Sequence, residues 1–92
     1  MSKAESTQVA VLIAAYNARD TIARAVASAL AQPEVSEVLV IDDASMDDTL
    51  KQAAMADDSS GRLKLLQQPV NRGPSAARNR GIVESRAPWL TV

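Results

Sequence analysis

The sequence predicts an α/β domain: a mainly parallel sheet flanked by helices, in the order β-α-β-α-β-α-β. Two observations carry this. Short runs of Val, Ile and Leu alternate with stretches of helical periodicity, the pattern of parallel strands buried on both faces. The chain has 92 residues, 47% hydrophobic and 23% charged, a composition of one folded domain with no room for two. Right-handed crossovers between such strands give a doubly wound layer.

Residues 1–8 are polar and read as a tail, and residues 9–15 (VAVLIAA) as the first strand. Asp20 is placed to cap a helix in which Ile22, Val26 and Leu30 recur on one face among alanines, with Pro33 ending it. Residues 37–41 (EVLVI) form the second strand, stopped by Asp42 and Asp43. Ser45, with Asp48 three residues on, resembles a capping box and opens a helix to about Ala56. Residues 57–61 make a turn, residues 63–67 a third strand, and Asn71-Arg72-Gly73 a loop. Pro74 suits the first turn of a third helix reaching about Arg86. Residues 89–92 begin a fourth strand, so the chain is expected to be the N-terminal part of something longer, truncated at the start of that strand.

Composition excludes several chemistries. There is no Cys or His, which removes disulfides, thiolate nucleophiles, imidazole bases and the commonest metal ligands. A net charge of −1, with Tyr16 and Trp89 the only aromatics, argues against nucleic-acid binding. The apolar run at residues 9–15 is too short for a signal peptide or a membrane span, so the chain reads as cytoplasmic. Charge is unevenly spread: residues 1–60 carry ten acids against four bases, and residues 61–92 six bases against Glu84 alone. Charge pairing within one fold accounts for this, and so does a small anionic ligand held from the basic half.

In open parallel sheets, ligands bind beyond the carboxyl ends of the strands. Ala14-Ala15-Tyr16-Asn17 and Asp42-Asp43-Ala44-Ser45 fall there. A pyrimidine nucleotide needs an aromatic ring against its base, a carboxylate for the imide N–H, and cationic or helix-terminal donors for its diphosphate. Tyr16, Asp43 and the segment from Asn71 to Gly81, with Gly73, Arg78 and Asn79, supply that set. Each piece also has a plain structural reading: a rim tyrosine, an Asx turn after a strand, a solvated helix face. The glycine-rich dinucleotide fingerprint and the P-loop are both missing from the first turn. A phospho-accepting receiver domain is disfavoured too, because its acids would follow the first and third strands, and here strand three ends in Gln67-Gln68-Pro69.

Taken together, AAYNARDTIARAVASALAQ, VLVIDDASMDDT and NRGPSAARNRG resemble the N-terminal nucleotide-binding half of family 2 inverting glycosyltransferases of the Rossmann-like GT-A fold, especially bacterial enzymes that build exopolysaccharides such as succinoglycan. The likeness runs from about Val9 to Val92. It implies that Tyr16 borders the uracil of a UDP-sugar, with backbone at Ala14 and Ala15 near base and ribose. Asp43 would accept from the uracil, Asp42 would shape the site, and Arg78 and Asn79 would face the nucleotide pocket. Where the family often has Pro or Thr, this chain has Ala14. Where it usually has Gly, this chain has Ala44, so the turn there is expected to avoid a conformation that only glycine tolerates.

The resemblance further implies a divalent cation, Mg or Mn, held by a D-x-D motif beyond Val92, and an acceptor that is a saccharide or a lipid-linked saccharide. The isolated chain is then expected to hold the donor's nucleotide without turnover, and the full protein to lie in the cytoplasm or against the inner face of the membrane. Apolar faces left by truncation predict a homo-oligomer. A non-catalytic nucleotide-binding or structural module is the rival reading. A sugar-nucleotide pyrophosphorylase is a weaker one, since its glycine-rich basic loop after strand one is missing.

Overall fold

A computed structural model describes residues 8–87 and 89–91. The tail expected over residues 1–8 therefore lies, apart from Gln8, outside the described residues, as do Pro88 and Val92. Seven elements follow in the expected order: β1 (Val9–Ala15), α1 (Ile22–Leu30), β2 (Val35–Asp42), α2 (Thr49–Met55), β3 (Leu63–Gln67), α3 (Pro74–Glu84) and β4 (Trp89–Thr91).

All strand pairings are parallel, and the sheet order is β3-β2-β1-β4. The chain steps outward from β1 to β2 to β3, then returns across the sheet to set β4 beside β1. Right-handed connections running in opposite directions put their helices on opposite faces. Accordingly Ile22, Val26 and Leu30 of α1 and Ala53 of α2 pack with Val35, Val38 and Val40 on one face. On the other face Ala77 of α3 packs with Ala10, Leu12, Leu39 and Ile41. Strand alternation explains the division along β1 and from Val38 onward in β2, and the irregularity opposite Val9 and Ala10 lets Val35 join the Val38 and Val40 face. β2 is buried at every residue but Ser36, as an inner strand covered on both faces should be.

The third helix lies close to the sheet because its contact residues are small. A Cβ added to Gly81 would meet Ile41 Cδ1 at 2.9 Å and Leu12 Cδ2 at 3.1 Å. Ala77 and Gly81 thus let α3 settle directly onto β1 and β2.

Element starts differ from the sequence expectation where polar side chains found partners elsewhere. Asp20 does not cap α1: Thr21 holds the cap position without a side-chain bond, while Asp20 is exposed beside Arg19. Ser45 does not open α2, which starts at Thr49, because its hydroxyl donates to Asp42 instead. β2 begins two residues earlier than expected and includes Asp42, and α3 ends at Glu84, short of Arg86.

Candidate functional site

The carboxyl ends of β1 and β2 lie side by side, with Ala15 in register with Asp42 and the Asp43 N–H donating to the Ala15 carbonyl at 2.8 Å. The two neighbouring acids then do different things. Asp42 continues the Val38, Val40 side of β2 and closes the following turn, accepting from the Ser45 N–H at 3.2 Å and from the Ser45 hydroxyl. Asp43 reaches the entrance of α3, where one oxygen accepts from the Arg72 N–H at 2.9 Å and the other from the Gly73 N–H at 2.8 Å. Gly73, at φ 92°, adopts a backbone conformation open to glycine and presents that N–H just before Pro74 starts the helix. Asp43 is only 4% exposed, yet no cation pairs with it among the described residues. Each carboxylate oxygen has lone-pair capacity beyond its one N–H.

Two adjoining clefts open on this rim. One, of about 130 Å³, is lined by Ala14, Ala15, Tyr16, Asp43 and Pro74. The other, of about 280 Å³, is lined by Leu12, Ile13, Ala14, Pro74 and Arg78. Ala14 and Pro74 belong to both, and the small side chain of Ala14 leaves the floor open between them. Tyr16 is half exposed. Arg78 is half-buried and forms no ion pair or side-chain hydrogen bond with the described residues, so its charge is available to a ligand.

The structure thus brings together Ala14, Ala15, Tyr16, Asp43 and Arg78, with Gly73 behind Asp43. Asn17, Asp42 and Asn79 line neither cleft. Asn17 sits at φ 49°, a conformation asparagine tolerates better than most residues, and its side-chain oxygen accepts from the Met46 N–H at 2.8 Å. Asn79 is exposed, on the side of α3 away from Ala77 and Gly81. The sequence marks Pro74 as a helix starter; the structure also makes it a wall of both clefts, the position a proline takes when it begins a helix at a strand-end rim.

Ala44 corrects an expectation. Its φ is 62°, so the turn keeps the left-handed geometry that suits glycine and places an alanine in it. That conformation costs a residue with a Cβ roughly 1 kcal/mol. On the far side of this turn a polar hollow of about 480 Å³ is lined by Ala44, Ser45, Gln67, Gln68 and Pro69. Arg80 borders the same loop, donating to the Gln67 carbonyl at 2.5 Å and to Gln68 Oε1 at 3.1 Å.

Among the described residues no three carboxylates gather to hold a metal ion. Asp42 is taken up by the Ser45 turn and Asp43 has no second and third ligating side chain beside it, so these residues do not fit a metal site. Among the same residues no helix is long and apolar enough to cross a membrane.

A four-stranded parallel sheet of this order, flanked by helices on both faces, defines an α/β layer of the Rossmann-like GT-A kind. The chain matches the family model Glycosyl transferase family 2 over residues 10–92, and it belongs to that family. It is 54% identical over 92 residues to the succinoglycan biosynthesis protein ExoU of Rhizobium meliloti (strain 1021), covering all of this chain and 27% of that protein. It is 39% identical over 72 residues to the UDP-Glc:alpha-D-GlcNAc-diphosphoundecaprenol beta-1,3-glucosyltransferase WfaP of Escherichia coli, covering 77% of this chain and 28% of the other. The chain therefore spans about a quarter of the length of these relatives. The fold also matches glucosyl-3-phosphoglycerate synthase from Mycobacterium tuberculosis, solved with Mn2+, UDP and glucosyl-3-phosphoglycerate. The TM-score is 0.75 and the identity 23%, over 95% of this chain and 33% of that one.

Proposed function

We propose that residues 9–92 are the donor-nucleotide-binding subdomain of an inverting glycosyltransferase that takes a sugar from a UDP-sugar and transfers it to a saccharide or lipid-linked acceptor in exopolysaccharide synthesis. The observation that carries this reading is the meeting of Tyr16, Asp43, Pro74 and Arg78 on two adjoining clefts at the reversal point of the sheet.

Each group has a task its chemistry suits. The exposed face of Tyr16 stacks on the base. Asp43, already accepting two backbone N–H groups, accepts a further one from the imide of uracil, which cytosine and adenine lack at that position. Arg78 meets the diphosphate, aided by the amino end of α3. Ala14 and Ala15 keep the floor low enough for backbone to approach the ribose. Asp42 and Asn17 hold the two turns, and Asn79 receives no role.

The names of the relatives support the donor and acceptor classes: WfaP is named for UDP-Glc and a diphosphoundecaprenol-linked sugar, and ExoU for succinoglycan biosynthesis. An acceptor of that kind would place the protein at the inner face of the cytoplasmic membrane. In the full enzyme a divalent cation would neutralise the leaving diphosphate; the described residues do not supply its ligands.

The test is calorimetric titration of the chain with UDP and, in parallel, ADP, with and without manganese. UDP-selective binding is expected, and Asp43→Asn should weaken it by roughly 1–3 kcal/mol. Equal binding of the two nucleotides, or unchanged affinity in the variant, would count decisively against this assignment.

A further inference from the structure

Three consecutive amides after β1 donate to side chains of the loop after β2 and of the first residue of α2. The Asn17 N–H reaches Ser45 Oγ at 2.8 Å, the Ala18 N–H reaches Thr49 Oγ1 at 2.9 Å, and the Arg19 N–H reaches Asp47 Oδ2 at 3.3 Å. One bond runs the other way, from the Met46 N–H to Asn17 Oδ1 at 2.8 Å. The acceptors are themselves held. The Ser45 hydroxyl donates to Asp42 and the Thr49 hydroxyl to Asp47, so both oxygens turn a lone pair toward the β1–α1 loop. Asp47 Oδ1 also accepts from the Thr49 N–H at 3.0 Å. The Thr49 hydroxyl above all holds the Asp47 carboxyl below its ordinary range; burial opposes it, and the Arg19 and Thr49 amides and the Arg19 charge add to the lowering.

Tyr16 stands between two fixed points. Upstream, Ala15 is locked in register with Asp42; downstream, Asn17 is held in a left-handed conformation by Ser45 and Met46. Its own helix does not begin until Ile22, so α1 cannot aim the ring.

We propose that Ser45, Asp47 and Thr49 are positioning residues for the nucleotide site: they fix the backbone of residues 17–19 and thereby hold the Tyr16 ring on the cleft that Asp43 also lines. The identity of the ligand rests on the reading in the preceding subsection; the ladder itself does not.

The experiment is a double-mutant cycle on the chain. Thr49→Val keeps the side-chain shape and removes the acceptor for the Ala18 N–H, whereas Thr49→Ser keeps the acceptor. With UDP as the titrant, Thr49→Val should weaken binding about tenfold and Thr49→Ser by less than about twofold. In a Tyr16→Ala background, Thr49→Val should shift affinity by less than about twofold, because the ring it aimed is gone. An equal loss in both backgrounds would overturn the proposal, since Thr49 would then act on the fold alone.

Amide hydrogen exchange by NMR, without nucleotide, gives a second readout. Asn17, Ala18 and Arg19 should be protected in the wild type, and Ala18 should lose protection first in Thr49→Val. Retained protection in that variant overturns the proposal. Failure of the wild type to bind UDP while these amides are protected overturns the nucleotide reading and leaves the ladder standing. Should Thr49→Val not fold, Ser45→Ala repeats both measurements at Asn17.

Discussion

The two ends of α3 are held by the same device used to opposite purposes. Near the amino end of β2, Glu37 Oε1 accepts from the Ser85 hydroxyl at 2.9 Å and from the Arg86 and Ala87 N–H groups at 2.8 and 3.1 Å, while Oε2 takes the Lys64 ammonium at 2.6 Å. Just past its carboxyl end, Asp43 accepts from the Arg72 and Gly73 amides and has no cation partner among the described residues. Both carboxylates belong to one strand segment, and both pin the helix through backbone donors. Glu37 is saturated and neutralised, so it can only fasten. Asp43 lines a cleft wall with acceptor capacity to spare, so it can fasten and still accept from a ligand. Burial pushes the Glu37 carboxyl up, but Lys64, Ser85 and the two amides outweigh it and set its pKa at about 2.

Removing the saturated clamp should have the largest effect. Glu37→Ala removes the acceptor of the Ser85 hydroxyl and of two amides and should cost roughly 2–3 kcal/mol, read as a lower urea midpoint, with UDP affinity of the folded fraction unchanged. A loss of affinity as large as the loss of stability would show that the two ends are not separable.

The same clamp makes stability depend on acid. Glu37 has its pKa lowered from 4.5 to about 2, so its contribution is complete above the unfolded value and is lost as pH falls through the folded one. The loss should reach on the order of 2 kcal/mol across that window, and Glu37→Gln should flatten it. An unaltered slope in the variant would assign the acid sensitivity elsewhere.

Between the clamps, Gly81→Ala forces a methyl against Ile41 and Leu12 and should cost roughly 1–2 kcal/mol. Because Pro74 and Arg78 ride on α3, this change should weaken UDP binding as well, unlike Glu37→Ala. At the ligand end, Ala44→Gly relieves a left-handed alanine and should raise stability by roughly 0.5–1 kcal/mol, seen as a higher Tm, with affinity unaltered.

The strand and helix order was legible because β1 is apolar throughout, β2 carries the apolar run Val38–Ile41, and α1 repeats Ile22, Val26 and Leu30 at helical spacing. The strand-end rule points to Tyr16 and Asp43, and the loop entering the third helix points to Arg78; in the structure all three line the two adjoining clefts. Polar side chains were misread wherever a distant partner outbid a local one. Ser45 and Asp48 have the spacing of a cap, but Ser45 serves Asp42 and Asn17, and Asp48 Oδ2 accepts from Gln52 Nε2 at 3.1 Å. Thr49 went unnoticed because its partner Ala18 lies 31 residues away and no local pattern announces the bond. Glu37 did leave a signal: a carboxylate opening an otherwise apolar strand must find donors if it is buried.

The placement of β4 bears on the order of assembly. β1 meets β2 and β2 meets β3 through short crossovers, but β1 receives its other neighbour from the opposite end of the chain, Val9 pairing with Trp89. Closing that contact costs the most loop entropy of any in the sheet. Docking of α3 and β4 is thus expected as the late kinetic step, after a three-stranded nucleus has formed. Because Asp43 and Pro74 come together only in that step, the cleft they share should be the last part of the molecule to form on refolding and the first to open during native-state fluctuations.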